Sequence, residues 1–92
     1  MEFLDMHGRI VSHGVEVEIQ HCVGLYGQTQ KVRGRVVTID QYGGVRLLVN
    51  GRHQYIPKCF SYDFESQKMV GYGEHKGFEH EHTFYCKILV DE

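Results

Sequence analysis

The chain has 92 residues, 41% of them hydrophobic and 24% charged, with a formal net charge of −2. That length supports one domain, excludes a multi-domain enzyme with separate cofactor and substrate lobes, and leaves a thin core that an oligomer or a ligand would help to complete. The small negative charge, taken alone, argues against a polybasic surface that binds nucleic acid or membrane without selectivity.

Alanine, the best helix former, is absent, while glycine occurs eleven times and Val, Ile, Thr, Tyr and Phe are abundant, a composition that favours strands. Residues 15–20 alternate perfectly, with Val15, Val17 and Ile19 against Glu16, Glu18 and Gln20, the pattern of a half-buried strand. Residues 25–30 read as a loop. Residues 31–40 form a longer strand in which Gly34 marks a bend or bulge, the device that curls a sheet. Gln41-Tyr42-Gly43-Gly44 is a turn, and 45–49 is the next strand. Asn50-Gly51 then predicts a two-residue type I′ hairpin into 52–56. Pro57 lacks the N–H a ladder needs and stops that strand. Residues 57–60 read as a single 3₁₀ turn before 61–64. Beyond it lie a turn at 65–68, a short strand at 69–72, a loop at 73–77 and a long alternating strand at 79–90. That last strand places His80, His82, Phe84, Cys86, Ile88 and Val90 on one side. No stretch has helical periodicity. Short strands broken by glycine-rich turns about every 8–12 residues indicate an all-β fold.

Charge is segregated along the chain. Residues 1–20 sum to −3 and residues 63–92 to −4, whereas residues 21–62 carry Lys31, Arg33, Arg35, Arg46, Arg52 and Lys58 against Asp40 alone, for +5. The same central stretch holds Tyr26, Tyr42, Tyr55, Phe60 and Tyr62. Cations that neutralise phosphates, interleaved with aromatic faces that stack on bases, suit RNA or single-stranded nucleic acid. Lys31, Arg33, Arg35, Arg46 and Arg52 are the candidate phosphate contacts, with Tyr42 and Tyr55 as stacking residues. The competing reading is that these cations pair with the flanking acids across the sheet.

The segment Gly34-Arg35-Val36-Val37-Thr38-Ile39-Asp40-Gln41-Tyr42, with Gly44 and Leu47 after it and the strand 15–19 before it, resembles the first motif of the Sm-like (Hfq-type) family over about residues 15–64. Ile56-Pro57-Lys58-Cys59-Phe60 does not match that family's second motif and looks more like an SH3-type barrel, where a proline and a 3₁₀ turn precede the last strand. The resemblance implies a small, strongly bent antiparallel barrel. It also implies a ring or dimer built through strand edges, with Asp40, Gln41 and Tyr42 facing the ligand. The family's RNA-pocket Asn is replaced by Gly44, so the pocket itself does not carry over. Together these readings give a single all-β domain, 1–92, with a barrel core at 8–64 and a His-rich, acidic C-terminal β extension at 65–92.

His80 and His82 project from one side of a strand, a spacing that allows two imidazoles to share Zn²⁺ or another transition metal. Cys86 lies further along the same side. The bland account is an exposed polar strand start followed by core residues. No P-loop, GxSxG, HExxH or dinucleotide fingerprint is present. His21 and Cys22 are neighbours on a strand and point to opposite faces. The chain therefore reads as non-catalytic, with no cofactor implied outside that metal alternative. Three cysteines without a CxxC pair suggest reduced thiols. The acidic start is unlike a secretory signal, and no apolar run approaches the ~18–20 residues that cross a bilayer. These features lead to the expectation of a cytoplasmic, homo-oligomeric binding module that contacts RNA or single-stranded nucleic acid and no membrane. The alternative is a protein-interaction module, a small inhibitor or adaptor.

Overall fold

The computed structural model describes residues 2–23, 28–76 and 81–89. Its strands are β1 (Phe3–Leu4), β2 (Glu16–Val23), β3 (Gln28–Ile39), β4 (Val45–Val49), β5 (Arg52–Ile56), β6 (Ser61–Asp63), β7 (Lys68–Val70), β8 (Tyr72–Lys76) and β9 (Glu81–Ile88). Among the described residues there is no helix, and the all-β class read from the missing alanine is what the chain adopts. The strands form a six-stranded sheet in the order β5-β4-β3-β2-β9-β8 and a three-stranded sheet in the order β1-β7-β6. Every ladder of the larger sheet is antiparallel, and β1 runs parallel to β7. No ladder among the described residues closes β5 onto β8.

Strands β2 to β5 form a meander. Val17 and Ile19 face Gly34 and Val32, and the alternation seen in the sequence sets this register. The β4–β5 hairpin turns on Asn50 and Gly51 with φ of 51° and 79°, both positive as a type I′ turn requires. Gly34 remains in register, and the irregularity falls between Val36 and Thr38 instead. Residues 57–60 form a turn but no 3₁₀ helix. Lys58 adopts a left-handed φ of 56°, which a right-handed 3₁₀ turn excludes. The Cys59 and Phe60 N–H groups donate instead to the Gly43 carbonyl, at 2.8 and 3.2 Å.

Three strands depart from the sequence reading, the first being β1, where no strand is expected. Residues 28–30, expected in a loop, extend β3 and pair with β2. Residues 72–76, four of them within the expected 73–77 loop, form β8, paired from Tyr72↔Tyr85 to Lys76↔Glu81. Glycine and glutamate disfavour strands, but a long partner strand supplies the ladder and overrides that weak preference. The remainder of both expected loops, together with His80 and Val90 of the last strand, lies outside the described residues.

The segment 65–92, expected as an extension on a core at 8–64, supplies β7, β8 and β9. Strand β9 lies between β2 and β8. Gly71 alone separates β7 from β8; its N–H donates to the Leu4 carbonyl at 2.7 Å and its carbonyl accepts from the Cys86 N–H at 2.8 Å. One chain run thus passes from the small sheet into the large one. The core fills the space between them: Val17, Ile19, Val36, Val45, Leu47, Ile56 and Cys86 are all at most 1% exposed, with Val11, Phe60 and Met69 packed against them. Phe3 meets Phe60 edge to face at 5.3 Å.

Candidate functional site

Because Val17, Ile19 and Val32 point inward, their alternates Glu16, Glu18, Lys31, Arg33 and Arg35 point outward. Past the irregularity in β3, the outward row continues through Thr38, Arg46 and Tyr55, which stand opposite one another. Leu48 and His53 form the adjacent outward pair. Five of the seven residues proposed from sequence, Lys31, Arg33, Arg35, Arg46 and Tyr55, therefore share one exposed face. Arg52 does not join them: it pairs with Val49 at the hairpin end, out of phase with that face. Tyr42 sits in the turn before β4, on the other side of the sheet's end.

Strands β3, β4 and β5 present four cations on this face and contain no carboxylate. Carboxylates begin at β2. Arg35 pairs with Glu16 at 3.3 Å and Arg33 with Glu18 at 2.9 Å, so the cross-strand pairing anticipated as the alternative is present for these two. Both guanidinium groups nonetheless stay open to solvent, with side chains 71% and 60% exposed for Arg33 and Arg35. Among the described residues, Lys31 and Arg46 make no ion pair within 4 Å.

Glu18 is only 8% exposed although it faces outward. The Tyr85 hydroxyl donates to it at 2.7 Å and Arg33 Nε at 2.9 Å. These two bonds, the tyrosine's first, hold its carboxyl below the ordinary range. Burial, with the bond to Glu18 adding to it, pushes the Tyr85 hydroxyl up to about 12.

Asp40 organises the turn at the far end of the face. Its Oδ1 accepts from the Tyr42 and Gly44 N–H groups, both at 2.9 Å, and its Oδ2 accepts from the Tyr55 hydroxyl at 2.5 Å. The Tyr55 bond, followed by the Gly44 amide, lowers the Asp40 carboxyl, and the same bond raises the Tyr55 hydroxyl. A Cβ at Gly44 would collide with that hydroxyl and with the Asp40 carboxylate. A side chain at position 44 would therefore displace the Tyr55–Asp40 bond. Tyr55 is thereby anchored at its hydroxyl while the residue stays 49% exposed.

On the opposite side, an open cleft of about 790 Å³ separates the end of the large sheet from the small one. His21 and Val23 of β2 and Phe84 of β9 form one wall. Phe60, Tyr62 and Met69 form the other, with Tyr42, Pro57 and Lys58 at the rim. Among the described lining residues Lys58 is the sole Lys or Arg, and there is no Asp or Glu. The Gly43 carbonyl, which holds Cys59 and Phe60, fixes the Tyr42 turn beside Lys58. Tyr62 is braced from outside by Phe64, edge to face at 5.0 Å. His21 Nε2 is shielded from solvent and has no hydrogen-bond partner among the described residues.

His82 is half-buried on β9, opposite His75 in register, whereas His80 lies outside the described residues. Among the described residues no group of three or more His, Cys, Asp or Glu is placed to hold a metal ion. All three cysteines are free, with Cys22 exposed and Cys59 and Cys86 buried. Burial pushes both buried thiols up to about 12, far from the thiolate character that nucleophilic catalysis requires. No helix among the described residues is long and apolar enough to cross a membrane.

Sequence reasoning missed Glu18 as a buried hub and missed the cleft entirely. Asp40 was partly visible, since an Asp followed by two glycines at the third and fourth positions signals a turn in which the side chain caps backbone N–H groups. The chain matches no protein-family model, no curated protein and no solved structure.

Proposed function

We propose that the protein is a small non-catalytic binding module that takes up RNA or single-stranded DNA on the outward face of β3, β4 and β5. One observation carries this reading: Lys31, Arg33, Arg35 and Arg46 share an exposed face with Tyr55, whose hydroxyl is tied to Asp40. Phosphates would lie along the cations and release their counterions, and a base would stack on the anchored ring. Holding the ring in place lowers the entropy lost when a base stacks on it. The Sm-like resemblance of residues 15–64 points the same way at the level of ligand class, without the family's own base pocket.

The test is fluorescence anisotropy with labelled single-stranded RNA and DNA oligonucleotides across a salt series. Binding should weaken steeply with salt, and the double change Arg33→Ala and Arg35→Ala should reduce the slope of log K against log salt by roughly 1.4 for two lost phosphate contacts. Arg46→Ala and Lys31→Ala should each reduce it by about half as much. Failure of every oligonucleotide to bind at low salt overturns the proposal.

A further inference from the structure

We infer that the cleft between the two sheets is a second binding site, for a small aromatic monocarboxylate, independent of the outward face. Its volume of about 790 Å³ lies within the range of roughly 300–1,000 Å³ typical of small-molecule pockets. Its walls are apolar and ring-rich: Phe60, Tyr62 and Phe84 line it and Tyr42 stands at its mouth. Aromatic side chains gain from edge-to-face and offset contacts with another ring beyond the area they bury, which favours a flat aromatic body over an alkyl chain.

Charge sets the other half of the ligand. Among the described lining residues Lys58 is the single Lys or Arg and no Asp or Glu occurs, so one negative charge on a ligand complements them. A phosphate dianion would leave an excess in apolar surroundings, at a desolvation cost. Ser61 adds a hydroxyl to the same lining. His21 Nε2 lacks a hydrogen-bond partner among the described residues, so a turn of its ring toward the cleft would let a ligand oxygen bond to it.

Lys58 is also held for this role. It sits at a left-handed φ of 56° between Pro57 and the two N–H groups anchored on Gly43. A non-glycine residue in that region persists because its surroundings impose it. The rim that carries the cation is therefore already in place before a ligand arrives.

The experiment is NMR of the protein labelled at its methionine methyl groups, titrated with indole-3-acetate, its neutral amide and adenosine 5′-monophosphate. Met69 lines the cleft and reports occupancy, while Met6 serves as the control. The expected result is a saturable shift at Met69, with the carboxylate bound roughly two- to fivefold more tightly than the amide. Lys58→Gln should abolish that preference, and Tyr42→Ala should weaken both ligands while leaving the Met6 signal unmoved. The proposal is overturned if Met69 does not respond, if carboxylate and amide bind equally to the wild-type protein, or if Lys58→Gln keeps the preference. Tighter binding of the nucleotide than of the carboxylate also overturns it.

Discussion

The carboxylate of Asp5 accepts a hydrogen bond from the backbone N–H of Ile88 at 3.0 Å, across 83 residues of sequence. The same side chain accepts from the His7 and Arg9 N–H groups at 2.9 Å and pairs with the Arg9 guanidinium at 3.1 Å. Arg9 in turn donates to the Ile88 carbonyl at 3.0 Å. Asp5 is 1% exposed, so its carboxylate depends on these donors in place of water.

Asp5→Ala removes the acceptor of the Ile88, Arg9 and His7 N–H groups and leaves Arg9 without its partner. The expected loss is about 3 kcal/mol, read as a fall in melting temperature on the order of 15 °C for a domain of this size. Burial alone would raise the Asp5 carboxyl, but the amides of Ile88, Arg9 and His7, with the Arg9 charge, outweigh it and the net shift is downward. A carboxyl lowered in the folded state stabilises above its ordinary value of 3.8 and loses that contribution as pH falls through the folded value. Denaturation midpoints of wild type and variant should therefore differ most near neutral pH and converge in acid.

On the outward face, the two carboxylates of β2 oppose the proposed ligand. The double change Glu16→Gln and Glu18→Gln releases Arg33 and Arg35 from their ion pairs and removes two negative charges beside them. Affinity for a single-stranded oligonucleotide at fixed low salt should rise several-fold. Unchanged or weaker binding of a folded double variant would show that the paired arginines do not meet phosphate. Glu18→Gln alone should also lower the Tyr85 pKa, because the carboxylate that accepts its proton loses its charge.

Tyr55 and Asp40 titrate as a linked pair in opposite directions. Tyr55→Phe removes the first cause of the lowered Asp40 carboxyl, which should then ionise closer to the ordinary carboxylate range in a carbon-detected NMR titration. In the wild-type protein the Tyr55 hydroxyl should ionise above the ordinary tyrosine range. An Asp40 titration identical in both proteins would mean that the bond is not kept in solution.

Thiol accessibility provides an independent check on the packing. Cys22 is exposed, whereas Cys59 and Cys86 are 3% and 0% exposed. Alkylation of the native protein followed by mass spectrometry should modify Cys22 alone, and all three sites in denaturant. Rapid native modification of Cys86 would contradict its burial in the core on β9, between β2 and β8.

The sequence made the large elements legible where a pattern and a turn agreed. The alternation at 15–20, the Asn50-Gly51 hairpin and the long final strand each reflect local chemistry, and each is present. Strand β1 was invisible because two residues, Phe3 and Leu4, carry no period, and their pairing with Met69 and Val70 is a long-range contact. Residues 73–76, with Gly73, Glu74 and Lys76, had loop composition and took their structure from β9. Of the candidate site, the residue types on the outward face were readable from charge segregation. Their pairing with Glu16 and Glu18 depended on register, and the burial of Glu18 depended on a tyrosine 67 residues away. The cleft could not be read at all, because it exists only where two sheets fail to meet.

The change of sign between β2 and β3 has a consequence for how the molecule meets any charged body. Lys31, Arg33, Arg35 and Arg46 stand on β3 and β4, Glu16 and Glu18 on β2, and Lys87 of β9 opposite Glu18 on its far side. A negatively charged body is drawn to the β3–β4 side and repelled along β2, so the seam between β2 and β3 becomes the line that sets its orientation.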